Sequence, residues 1–116
     1  MFNFEKLEVW RKSVVFAHVI YKHSRTFPNA ERFGLTNQIR RAAVSIPSNI
    51  AEGSARPIPD FIKFLGYATG SLYEVVTQAV IAHQQKHLDD ASFNQIYAAA
   101  DEIARMISGL RRSLGE

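Results

Sequence analysis

The stretch "LTNQIRRAAVSIPSNIAEG", Leu35 to Gly53, decides the architecture, because it reads as one helix while carrying a proline at Pro47 and polar groups in nearly every turn. Leu35, Ile39, Ala42, Ala43, Ile46 and Ile50 recur at the spacing of a single helical face. At about 100° per residue, a second stripe gathers Gln38, Arg41, Ser45, Ser48, Asn49 and Glu52, and no apolar side chain interrupts it. A solvated face would carry Lys and Glu, whereas short amides and hydroxyls suit hydrogen bonding to a neighbouring helix or another subunit. Gly34 breaks any earlier turn, and Thr36 is placed to cap the helix. Pro47 lacks an N–H and clashes with the carbonyl of Ala43, at a cost of about 3 kcal/mol in a straight helix interior. Ser45 and Ser48 are within reach of the freed carbonyl, and the resulting bend either curves the helix around its partners or is simply tolerated.

On either side of this stretch, no segment shows the strict alternation of a half-buried strand, and apolar residues recur at helical spacing in three further segments. The first helix is expected from about Glu5 to Thr26, with Leu7, Trp10, Val14, Ala17 and Tyr21 facing the core and "FPN" ending it. A third begins at Pro57 and Pro59, with Asp60 in its first turn, and runs to about His87 on a core stripe of Phe61, Leu65, Ala68, Leu72, Val75 and Ala79. Its Ser71, Glu74, Thr77 and Gln78 are the counterpart of the polar stripe, and Arg41 is within pairing range of Glu52 or Glu74. Gly66 and Gly70 lie inside a helical pattern, where small residues permit close helix contact. The fourth helix follows a cap at Asp89 or Asp90 and continues through Phe93, Tyr97, Ala100, Ile103, Ile107 and Leu114. Four helices of about 20 residues, each about 30 Å long, joined by short loops predict an all-α, antiparallel up-down-up-down four-helix bundle. The whole chain, residues 1–116, forms its single domain.

Composition sets the outer limits. The chain is 47% hydrophobic and 22% charged, the profile of a globular protein rather than a disordered one. It contains no Cys, which excludes disulfides, thiolate nucleophiles and cysteine zinc sites. The early charges of "MFNFEKLEVWRK" and the lack of an apolar run near the ~20 residues that span a bilayer lead to a cytoplasmic expectation, with no membrane partner. The net charge of +3 is unevenly spread: residues 1–56 hold nine Lys or Arg against four Asp or Glu, and residues 57–116 hold five against seven. Mild basicity serves solubility, and the basic half also suits a polyanion.

The first helix has a surplus of apolar surface. Val9, Phe16, Ile20 and Phe27 line up roughly opposite Leu7, and a lone bundle cannot bury both faces. These four residues are therefore expected to form a contact between copies of the chain.

No active site emerges. His83 and His87 have the i,i+4 spacing that lets two imidazoles share a metal, with Asp89 and Asp90 nearby, but two exposed histidines at a helix end are more often unliganded. No nucleophile elbow or phosphate loop is present. Glu52 and Glu74 would suit acid–base work if buried together, whereas the nearby Arg41 favours a structural ion pair. The expectation is a non-enzymatic protein that needs no metal or cofactor.

"FGLTNQIRRAAVSIPSNIAEGSAR", with "LEVWRKSV" and "FPNAE" before it and "FIKFLGYATGSLYEVVTQ" after it, closely resembles a bacterial four-helix-bundle family. That family was named from reading frames in intervening sequences of 23S rRNA genes and includes accessory proteins of diversity-generating retroelements. The resemblance implies a homopentameric ring with basic outer surfaces and no known catalytic activity. For the retroelement relatives it further implies binding to nucleic acid, RNA or DNA, and to a reverse transcriptase. The family motif falls on Gln38, Arg41, Ser45, Pro47, Asn49, Glu52 and Gly53 and assigns them no catalytic role. Function is then expected in exposed cations, namely Arg11, Lys12, Lys22, Arg25, Arg40, Arg56 and Lys63, whose phosphate contacts a ring would multiply. The alternative is a scaffold that presents a docking face to a protein partner.

Overall fold

A computed structural model describes residues 1–116 as four α-helices and no strands: α1 (Glu8–Ser24), α2 (Leu35–Ser54), α3 (Ile58–Gln84) and α4 (Asp90–Ser113). Short 3-10 turns at Asn3–Lys6 and Asn29–Glu31 precede α1 and α2. Each helix packs on its neighbour in sequence, and α4 packs on α1, which closes the arrangement. The molecule measures 43 × 22 × 22 Å. That cross-section holds two helices each way at a diameter of about 10–12 Å. No helix is long and apolar enough to cross a membrane.

The core is where the helical period puts it in three of the four helices. Ile39, Ala42, Ala43, Ile46 and Ile50 of α2, Leu65, Ala68, Leu72, Val75 and Ala79 of α3, and Ala100, Ile103 and Ile107 of α4 are all buried. Tyr97, expected inside, is 54% exposed, and Ile96 takes the inward position.

In α1 the faces are the reverse of the expectation. Val9, Phe16, Ile20 and Phe27, expected to meet another subunit, are buried in the chain's own core. Trp10, Val14 and Ala17 are only half-buried, and Tyr21 is 40% exposed. The reason lies in two serines. Ser13 and Ser24 interrupt the Val9–Phe16–Ile20–Phe27 stripe and make it look the more polar, yet both are buried. Their hydroxyls donate to the carbonyls of Trp10 (2.8 Å) and Tyr21 (3.2 Å), so each satisfies itself on its own helix and costs little to bury.

Helix ends also depart from the local signals. Gly34 is the N-cap residue of α2, Thr36 is buried as the second residue of the helix, and the Glu31 carboxylate accepts from the Leu35 N–H at 3.3 Å. Pro47 is buried within α2, which continues unbroken to Ser54. The Ser48 hydroxyl donates to the Val44 carbonyl at 2.9 Å, not to that of Ala43. α3 ends at Gln84, short of His87, because Lys86 adopts φ 64°, and the N–H groups of His87 and Lys86 fold back to the carbonyls of Ala82 and His83.

α2 and α3 come close at Gly53, where a Cβ would lie 2.6 Å from Phe64 Cβ. The glycines expected to serve that purpose do not: nothing lies within 4 Å of such an atom at Gly70, and at Gly66 only the Arg111 guanidinium does, 3.6 Å away.

Asp89 caps α4, accepting from the Ser92 N–H at 2.7 Å. That backbone bond, with a further contribution from the Ser92 side chain, holds the Asp89 carboxyl below its ordinary value of 3.8. A lowered value in the folded state means a contribution present above that pH and lost as the pH falls through the folded value. Asp89→Asn keeps a capping oxygen and removes the titration. Thermal melts of the variant are expected to fall less steeply below about pH 4 than those of the parent.

Candidate nucleic-acid interface

The seven cations expected to meet nucleic acid are not equally available. Lys12 is ion-paired with Glu102, which raises its pKa above the ordinary value, chiefly through their hydrogen bond. Arg11 donates to the Glu5 carbonyl at 2.7 Å. Arg56 pairs with Glu52 at 3.3 Å and lies over the Phe64 ring at 4.8 Å. Lys22, Arg25 and Lys63 are exposed.

Arg40 takes part in a larger constellation. Its Nε donates to the Ser24 hydroxyl at 2.8 Å, and its guanidinium lies 4.8 Å from the centre of the Tyr21 ring. This anchoring points it into a groove of about 630 Å³ between the end of α1 and the first turns of α2. Tyr21, Arg32, Phe33, Thr36, Asn37, Arg40, Arg41, Val44 and Ser45 line the groove, and none of them is acidic. Phe33 is 85% exposed, with the Arg32 guanidinium 5.4 Å from its ring centre. The groove lies beside the N-terminal turn of α2, whose first N–H is already bonded to the Glu31 carboxylate, so its positive character comes from the three arginines.

Arg32 and Phe33 stand outside every helical stripe that periodicity picks out, and Arg41 falls on the interhelical one. The signal in the chain is the pairing of "RF" before Gly34 with "RR" one turn into the helix that follows. Only the turn through Asn29–Glu31 and the packing of Tyr21 on Arg40 bring those pairs to one wall.

The polar stripe of α2 divides between several neighbours. Ser45 meets Ser71 of α3 at 2.8 Å, and Asn49 donates to the Ser45 carbonyl (2.8 Å) and hydroxyl (3.0 Å). Ser48 turns to the other side, beside Pro47. Arg41 pairs with neither Glu52 nor Glu74: Glu52 is held by Arg56, while Arg41, Gln38 and Glu74 line a second groove with Ser45, Ser71 and Gln78. Glu52 does not line that groove, so the two glutamates form no acid–base pair.

His83 and His87 are held apart. His83 contacts Asp90 at 2.7 Å and stacks on Phe93, whereas His87, beyond the end of α3, lies 3.6 Å from Glu31 and beside Phe27. No three His, Asp or Glu side chains gather as a metal site would require.

One apolar surface stays open. Trp10, Val14, Ala17 and Tyr21 of α1 and Val44, Pro47 and Ala51 of α2 line a groove of about 430 Å³, with Phe4 set edge-on against Trp10. The surplus apolar face expected on α1 therefore exists, made of the residues that periodicity places in the core.

The family described as 23S rRNA-intervening sequence protein matches residues 5–109. A crystal structure of a protein with unknown function from the S23 ribosomal protein family of Bacteroides thetaiotaomicron VPI-5482 superimposes with a TM-score of 0.82. It covers 89% of this chain and 97% of its own, at 24% identity. At that identity the likeness is one of fold. No curated protein matches the chain.

Proposed function

The chain belongs to the family of 23S rRNA-intervening sequence proteins, and from that premise we propose that it is a non-enzymatic, homo-oligomeric RNA-binding protein of the cytoplasm. The observation that carries this is the groove lined by Arg32, Arg40 and Arg41 with the exposed Phe33 and no carboxylate. Guanidinium groups take phosphate in a bidentate fashion, and an exposed ring offers a base a stacking surface, the pairing that single-strand binding uses. Lys22 and Arg25 on α1 extend the positive surface.

The helices run up-down-up-down in this reading, supported for α1 and α4 by the contacts of Lys12 with Glu102 and His23 with Gln95, in which the later residue of α1 meets the earlier one of α4. Copies associate through the Trp10–Val14–Pro47 groove, and the family resemblance implies five of them in a ring. Each copy adds a cationic groove, so modest single affinities multiply.

Filter binding of single-stranded RNA over a salt series tests the proposal. Affinity is expected to fall as salt rises, and the double variant Arg32→Ala, Arg41→Ala is expected to flatten the dependence by about 0.7 in log–log slope for each phosphate no longer neutralised. Absent or salt-insensitive binding would overturn it. A second reading, a scaffold for a protein such as a reverse transcriptase, is favoured by a separate groove of about 370 Å³ between α3 and α4, flanked by the exposed Tyr73 and Tyr97. Partner capture that survives nuclease treatment, from a protein that binds no RNA, would select that reading.

A further inference from the structure

The cationic groove does not end at Arg41. Asn37, Arg41 and Ser45 line it and also line the second groove, about 410 Å³, between α2 and α3. The chemistry changes along this path. The first part carries three arginines and no carboxylate; the second adds Gln38, Ser71, Glu74 and Gln78.

The Glu74 carboxylate of α3 is exposed to the groove and enters no ion pair. Across the groove Arg41 is likewise unpaired, and Gln38 supplies an amide. A ligand suited to the groove offers paired donors to Glu74 and an acceptor to Arg41 or Gln38.

Resting on the RNA-binding reading, we infer that this second groove takes the Watson–Crick edge of an unpaired guanine, while the adjoining backbone phosphates lie on Arg32 and Arg40. Guanine presents N1–H and the N2 amino group side by side, a pair that a carboxylate accepts in a bidentate fashion, and its O6 accepts from a guanidinium or an amide. Uracil sets a carbonyl on each side of its one N–H, against Glu74. Adenine and cytosine each offer one amino group beside a ring acceptor. Phe33, at the entrance, stacks the neighbouring base.

The test compares a short oligouridine with the same strand carrying one central guanosine or one inosine, which lacks the N2 amino group, by fluorescence anisotropy at fixed salt. The guanosine strand is expected to bind about tenfold more tightly than oligouridine, with inosine in between. Glu74→Gln is expected to erase the preference for the guanosine strand over oligouridine. If all three strands bind equally, or the preference survives Glu74→Gln, the guanine assignment is overturned and RNA binding stands. If no strand binds, both fall together. Should Glu74→Gln fail to fold, the guanosine–inosine comparison on the unaltered protein still decides, and equal binding of those two strands overturns the assignment.

Discussion

Replacing Phe16 by alanine is expected to destabilise the protein by about 3–5 kcal/mol, a large share of the ~5–15 kcal/mol that holds a domain folded. Phe16 is 1% exposed, beside Ala99 and Ile103 of α4. The loss combines the transfer free energy of the ring with the cavity left behind. Urea unfolding with an unchanged denaturant slope would read it as stability rather than altered compactness. The opposite face of the same helix behaves differently. Val14 is half-buried and lines an open groove, so Val14→Glu is expected to shift stability by less than about 1 kcal/mol. Under the proposed association through that groove, it is instead expected to leave the 13.1 kDa chain alone in solution where the parent associates, which light scattering would detect. A stable Phe16→Ala protein together with an unfolded Val14→Glu one would mean that the faces of α1 are the other way round.

Gly53→Ala is expected to cost about 1–3 kcal/mol, although alanine is the better helix former by about 1 kcal/mol. The added Cβ meets Phe64 Cβ at 2.6 Å and Phe61 Cδ1 at 3.1 Å. The first of these belongs to the stem of a side chain fixed to the α3 backbone, so no rotamer change relieves it and the helices must separate. Gly70 supplies the control. Nothing lies within 4 Å of a Cβ there, so Gly70→Ala is expected to stabilise by about 1 kcal/mol through helix propensity alone. Opposite signs at two glycines, measured by the same unfolding experiment, separate close approach from propensity; equal signs would remove Gly53 from its role.

Much of the fold was legible in the chain. The inward stripes of α2, α3 and α4 follow directly from apolar residues at helical spacing, and the cap of α4 was legible as Asp89 or Asp90, of which the structure uses Asp89 on the Ser92 N–H. The site was less legible. Lys12 and Arg56 read as free cations, and only packing supplies Glu102 for one and the Phe64 ring for the other. Arg41 read as half of an ion pair with Glu52 or Glu74, yet Arg56, one turn from Glu52, takes that carboxylate. The cationic groove joins residues on both sides of the turn before α2 to Tyr21 of α1, a neighbourhood that no periodicity describes.

The amino-acid sequence alone determined that this protein is helical, how many helices it has, which side of three of them is apolar, and that its positive charge gathers in the first half. Periodicity does this because it fixes where each side chain points around its own helix axis. It does not fix how that axis is rotated against its neighbours. In α1 two apolar stripes competed, and the tertiary structure chose Val9, Phe16, Ile20 and Phe27 because Ser13 and Ser24 bond their own backbone, so that face could be buried whole. The same packing set Gly53 against Phe64 and brought Arg32, Arg40 and Arg41 to one wall. Each of these outcomes depends on groups far apart in the chain sharing one volume from which water is excluded.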